Sequence, residues 1–138
     1  MRKQIFILSA LFVGCFALLS MSLLDSEFQD PWEVPAKYQK MENPFLDAAD
    51  EENIGRMMYS KHCKSCHGTK GKGDGTKAED LDTEVGDFTD GSLIDQTDGT
   101  LYYKTFFGRD DMPSFNKKIK VEEEKWMIIN YLRKLANK

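Results

Sequence analysis

The sequence contains few of the residues that build disulfide frameworks and metal clusters. Its three cysteines are Cys15, Cys63 and Cys66, and it has two histidines, His62 and His67. A small secreted domain held together by several bridges needs more cysteines than the two that follow residue 24. A zinc site would require a second cysteine or histidine pair. The sequence therefore excludes a multi-bridge scaffold and disfavours zinc.

The chain also has fewer basic than acidic side chains. Arg2 and Lys3 precede every acidic residue, and the chain after residue 24 carries 17 basic and 23 acidic side chains, a net charge of about −6. This balance argues against nucleic acid as a partner. It favours association with proteins that present basic patches, an effect on encounter rate rather than on the fold.

Strand-like alternation and internal repeats are absent, and three segments have helical spacing. The first, about 50–62, follows a capping aspartate, Asp47 or Asp50. The second, about 99–107, stops at Gly108. The last, about 121–136, begins with three glutamates, which suits the helix dipole. Residues 68–99 hold seven glycines and predict a loop, so we expect an all-α fold.

The N-terminus predicts export. Residues 1–24 have a basic start and then an apolar run from Ile5 to Leu24, which is typical of a signal peptide or a membrane anchor. Cleavage near Ser20 and Ser22, retention as an anchor, and lipidation at Cys15 all stay open. We therefore expect a periplasmic location or the outer face of the cytoplasmic membrane, with membrane association.

Residues 25–50 contain three prolines and few aliphatic residues, which predicts an extended linker before a domain over 51–138. Trp32, Tyr38 and Phe45 are unusual in such a linker. We expect them either to pack against the domain or to mark a docking segment.

The strongest motif is the pentapeptide Cys63-Lys64-Ser65-Cys66-His67, the C-x-x-C-H pattern of covalent haem attachment. Cysteines three residues apart lie on one side of a helical turn, where both sulfurs can reach one side of a porphyrin. The adjacent histidine can bind the iron as proximal ligand. A thioredoxin-like pair would need a preceding strand, and a disulfide across so short a loop gains little stability. The motif therefore predicts one covalent haem c on Cys63 and Cys66.

Over about residues 50–138 the chain resembles class I cytochromes c. Gly55 and Tyr59 resemble that family's Gly-x-x-x-aromatic helix, whose glycine permits close crossing by the last helix, here at Ile128, Tyr131 and Leu132. The resemblance implies a small fold of three to four helices around one haem.

The segment from Gly108 to Phe115 resembles the family's loop that delivers the distal methionine. The resemblance therefore implies Met112 as the second axial ligand, opposite His67, while Met57, Met58 and Met127 read as core. It also implies a carbonyl near Gly75 or Thr76 that accepts a hydrogen bond from His67. We expect His62 to be a solvated surface residue, and Asp74 to lie in a solvated turn rather than to bind a cation.

Two axial ligands leave no open iron position, so the predicted function is transfer of single electrons and not catalysis. The expected setting is a respiratory chain, with partners such as a quinol-oxidising complex and a terminal oxidase or reductase. Two alternatives remain open. The chain is a haem c subunit of a larger membrane oxidoreductase, or, if Met112 does not bind, a five-coordinate haem sensor or peroxidase.

Overall fold

The computed structural model describes residues 31–137, and the predicted export segment 1–24 lies outside them. Within residues 31–137 the α-helices are α1 Ala36–Gln39, α2 Ile54–His62, α3 Lys64–His67, α4 Asp98–Phe107 and α5 Glu122–Ala136. Residues 31–137 contain no strand, and their β structure is limited to one bridge between Arg109 and Met112. The predicted all-α fold is confirmed. None of the helices in this range has the length and apolar character needed to span a bilayer.

Helices α2 and α5 cross closely because Gly55 has no side chain. A Cβ at Gly55 would lie 2.2 Å from the Met127 carbonyl oxygen and 3.1 Å from the Tyr131 Cβ. The Asp50 carboxylate stabilises the N-terminal end of α2, since it accepts the N–H groups of Ile54 at 2.6 Å and Gly55 at 3.1 Å. The expected glycine crossing is therefore present, with Met127 as the residue of closest approach.

Replacing Gly55 tests how tight this crossing is. We expect Gly55→Ala to lower the free energy of unfolding by about 1–3 kcal/mol, because an added methyl group overpacks the contact with the backbone of α5. Denaturant unfolding of the holoprotein measures it. Gly86→Ala is the matched control, since a Cβ there meets nothing within 4 Å and its φ is not positive. Equal midpoints for the two variants would contradict a tight crossing.

The core lies mainly along α5. Seven of its residues are buried: Lys125, Trp126, Met127, Ile128, Ile129, Leu132 and Leu135. The aromatic rings of α4 complete this core, and the Tyr102 ring lies 4.6 Å from Trp126 and 4.7 Å from Phe106. Met127 is buried as expected, whereas Met57 is 55% exposed. The expectation that Met57 lies in the core is wrong, because the face of α2 that points into the core is narrower than its sequence predicts and does not include Met57.

The segment 33–50 differs from the expected extended linker, because it belongs to the same compact unit as the helices. Helix α1 begins directly after Pro35, and the Tyr38 ring that it carries lies 4.9 Å from Tyr103 and 5.2 Å from Phe107. Gly99 permits this approach, since a Cβ there would lie 2.0 Å from the Tyr38 carbonyl oxygen.

Side-chain hydrogen bonds fasten the rest of this segment. Asn43 donates to Asp98 at 2.9 Å and to Asn130 at 2.8 Å, and Asn130 donates to the Phe45 carbonyl at 2.8 Å. The prolines suppress helical periodicity but not packing, and these long-range partners cannot be identified from the local pattern. Of the two readings for Tyr38 and Phe45, the structure favours packing against the domain.

Candidate functional site

The haem-binding pentapeptide spans the junction of α2 and α3. Cys63 follows the last residue of α2 with φ −117° and ψ −35°, and its carbonyl accepts the N–H groups of Cys66 at 3.2 Å and His67 at 3.0 Å. Gly68 then ends α3 with φ 77°, a conformation that favours glycine. One short helical turn thus carries both cysteines and the histidine.

The two thiols are unpaired, and Cys63 is unsuited to redox exchange. Neither Cys63 nor Cys66 forms a disulfide, and both are partly buried. Burial, with a smaller contribution from Cys66, raises the pKa of the Cys63 thiol to about 12. A thioredoxin-like pair needs a thiol whose pKa lies below its usual value. The environment of Cys63 therefore disfavours that alternative, and both unpaired thiols are available for a covalent group.

His67 is held as a neutral imidazole. Its ring stacks on Phe88 with centroids 4.5 Å apart and planes at 25°, and burial lowers its pKa to about 4. Within the described residues, its Nδ1 is the one buried side-chain nitrogen or oxygen without a hydrogen-bond partner. The expected bond to a carbonyl near Gly75 or Thr76 is not formed.

Backbone hydrogen bonds fasten the glycine-rich loop to the pentapeptide. Gly73 N–H donates to the His67 carbonyl at 3.1 Å, and Gly75 N–H donates to the Cys66 carbonyl at 3.0 Å. A Cβ at Gly75 would lie 2.4 Å from the Ser65 carbonyl oxygen, so only glycine permits this approach. The loop therefore fixes the pentapeptide backbone even though His67 Nδ1 lacks an acceptor.

Met112 lies in a tight turn between α4 and α5. The N–H and C=O groups of Met112 exchange hydrogen bonds with Arg109, at 2.9 and 3.0 Å, and Asp110 between them has φ 52°. Gly108 must be glycine, since its φ is 70° and a Cβ would lie 2.3 Å from the Met112 carbonyl oxygen. The Asp111 carboxylate accepts the Thr83 N–H at 2.8 Å, which joins this turn to the glycine-rich loop.

A contact between Phe115 and His62 joins the Met112 segment, which runs from Gly108 to Phe115, to the pentapeptide. The Phe115 ring is buried, and its centroid lies 5.9 Å from that of His62, which immediately precedes Cys63. His62 is therefore partly buried rather than fully solvated as expected, and this burial, with the nearby Lys61 and Lys118, lowers its pKa. The structure thus places the two predicted ligand segments beside each other.

Residues 31–137 contain no group of three or more His, Cys, Asp or Glu side chains placed to hold a metal ion. The Asp74 carboxylate instead fills the space beside Gly68, where a Cβ would lie 1.8 Å from its Oδ1.

The sequence did not identify Phe88 and Lys125. Phe88 gives no periodic signal because it lies in an irregular loop. Lys125 shares a helical face with Ile128, Ile129 and Leu132 at spacings of three, four and seven, a pattern that could have indicated its burial.

Residues 50–132 match the family model described as cytochrome c oxidase, cbb3-type, subunit III. This range covers more than half of the chain and includes both parts of the candidate site. No curated protein matches the chain significantly.

A solved structure supports the fold. The chain resembles a chain of the reducing HAO-like protein complex of Kuenenia stuttgartiensis, with a TM-score of 0.56 and 24% identity. The alignment covers 80% of this chain and 53% of that one, so this chain corresponds to about half of its length.

The residues present fit the haem c that this family carries. Two unpaired thiols and a partly buried neutral imidazole lie on one turn, and a methionine lies in the adjoining segment. The predicted single covalent haem is confirmed by the family. The chain belongs to the family of cbb3-type cytochrome c oxidase subunit III, and it is a class I c-type cytochrome whose one covalent haem c serves electron transfer.

Proposed function

We propose that this protein carries single electrons on a haem c attached to Cys63 and Cys66, with His67 and Met112 as the axial iron ligands. The haem supplies the ferric/ferrous couple. The residues of the chain attach it, orient the imidazole through Phe88, and present the Met112 thioether from a turn fixed on both sides. A soft sulfur ligand favours ferrous iron and raises the reduction potential relative to two nitrogen ligands.

The observation that carries the proposal is the fastening of the Met112 turn. Besides the bonds of Arg109 and Thr83, the Phe106 carbonyl accepts hydrogen bonds from Ser114 Oγ at 2.8 Å, Phe115 N–H at 3.2 Å and Asn116 N–H at 3.0 Å. A ligand held by so many bonds needs little rearrangement between oxidation states. That property suits a carrier better than an enzyme with an open iron position.

A redox titration with a ligand-binding assay tests this function. We expect the purified holoprotein to titrate as one one-electron centre and the ferrous form to bind carbon monoxide negligibly, because Met112 blocks the sixth position. Free ferrous haem in the same buffer is the positive control for carbon monoxide binding. Ready carbon monoxide binding together with peroxide turnover would favour the sensor or peroxidase alternative.

We propose a respiratory setting outside the cytoplasm, with residues 1–24 as the export signal or anchor. The proposed partners are a quinol-oxidising complex and a terminal oxidase or reductase. The excess of acidic side chains after residue 24 supports attraction to basic surfaces. An anchor would confine the domain to the membrane plane and raise its effective concentration near such complexes.

The family description favours one further candidate, a fixed subunit of a larger membrane oxidoreductase. Because segment 33–50 packs on the domain, it cannot serve as a long flexible tether for the haem domain. This suits a subunit with a fixed place in a complex. Sizing after mild detergent extraction from native membranes separates the two, since a carrier migrates alone and a subunit migrates with its complex.

A further inference from the structure

A buried lysine joins helix α5 to the segment that follows Met112. Lys125 is only 4% exposed, and its ammonium group donates to Glu122 Oε1 at 2.6 Å and to Asn116 Oδ1 at 2.9 Å. It also lies 3.3 Å from the Tyr102 hydroxyl, which donates to Glu122 Oε2 at 2.9 Å. These four side chains form a polar network at the edge of the apolar core, in which Lys125 and Tyr102 are buried and Glu122 and Asn116 are exposed.

Stability alone does not account for a lysine at this position. Removing an ammonium group from water is costly, and a well-packed apolar residue in place of a buried ion pair is often as stable or more stable. The Glu122 side chain is 60% exposed, which weakens its attraction for Lys125 through solvent screening. Stability alone therefore gives no reason to prefer lysine to a methionine of similar volume at this position.

Asn116 is the member of this network that lies nearest to the predicted ligand in sequence. It follows Met112 by four residues, and its N–H is bonded to the Phe106 carbonyl at 3.0 Å. Asn116 is thus held twice, by its backbone to α4 and by its side chain to Lys125 of α5. It is a fixed point at the end of the Met112 segment.

We infer that Lys125 is a positioning residue for Met112, which it holds near the iron by anchoring Asn116 and so limiting opening of the segment between Gly108 and Asn116. The inference rests on the proposed ligation by Met112. It assigns Lys125 control over the lifetime of the iron–sulfur bond rather than over the stability of the domain. Lys125 does not touch the reacting group, and it acts through Asn116.

Displacement of Met112 by imidazole tests the inference. We expect the ferric Lys125→Met holoprotein to bind saturating imidazole about ten-fold faster than the wild type in stopped flow, because opening of the segment limits the rate and a charge-assisted hydrogen bond is lost. Its denaturation midpoint should remain close to the wild-type value. Asn116→Leu removes the acceptor from an exposed position and should give a similar acceleration.

The double variant and a control separate positioning from general loosening. Lys125→Met with Asn116→Leu should be no faster than either single change, since both remove the same bond. Arg133→Met is the control: it removes a partly buried cation of α5 that pairs with Asp98 at 2.8 Å, far in sequence from Met112. It should lower the midpoint and leave the imidazole rate unchanged.

The wild-type spectrum distinguishes the two ways in which the inference could fail. A ferric wild type without the far-red band of methionine ligation would overturn the ligation by Met112 and this inference with it. A wild type with the band, and equal imidazole rates in Lys125→Met, Asn116→Leu and wild type, would refute the role of Lys125 alone.

Discussion

Replacing Cys63 and Cys66 together by alanine should abolish covalent haem. Cys63 and Cys66 are the only cysteines in residues 31–137, and both are unpaired, so no other thiol in that range can take their place. Intact-mass spectrometry of the exported protein should lose the added mass of one haem, and haem-stained gels should become blank. The same spectra of the wild type report whether residues 1–24 are cleaved, retained or lipidated.

Single replacements provide the matched comparison. Cys63→Ala or Cys66→Ala leaves one thiol, and we expect a reduced yield of covalent haem from each. Ser65→Ala changes the exposed residue between the cysteines and should leave the yield unaffected. Haem that stays on the double variant after denaturation would show that attachment occurs elsewhere and would remove the basis of the site.

Met112→Ala should open the sixth iron position. We expect the far-red band of the ferric protein to disappear, carbon monoxide to bind the ferrous form, and the reduction potential to fall by on the order of 0.1–0.2 V, within the ~0.8 V range that axial ligands control. The cause is loss of a thioether that stabilises ferrous iron. Absorption spectroscopy and a potentiometric titration measure these changes.

Two further variants test whether the effect is specific to Met112 and to its sulfur atom. Met57→Ala alters an exposed methionine of α2 and should keep the band and the potential. Met112→His should give a six-coordinate haem iron with a reduction potential below that of the wild type, because two nitrogen ligands favour the ferric state more than one nitrogen and one sulfur do. An unchanged spectrum in Met112→Ala would assign the sixth position to another residue.

The ends of the helices were largely predictable because local chemistry sets them. Gly108, with φ 70°, ends α4 as the sequence predicts. Helix α2 begins at Ile54, about four residues later than predicted, although the Asp50 carboxylate does accept its first N–H groups. Packing of 33–50 against the domain was one of the two expectations, but its specific contacts were not predictable, since Asn43 bonds to Asp98 and Asn130, which lie 55 and 87 residues away. Sequence spacing gives no information on pairings of that separation.

The same division holds for the site. The C-x-x-C-H spacing alone indicates a covalent haem and its proximal histidine, because reach along one helical turn is a local property. The surroundings of these residues were decided by the tertiary structure: Phe88 lies against His67, and Lys125 is buried against Asn116. Burial and partner geometry depend on how distant segments pack. The sequence by itself therefore determined which chemistry the chain can perform, and the packing of α4, α5 and the loops decided how firmly each proposed ligand is held.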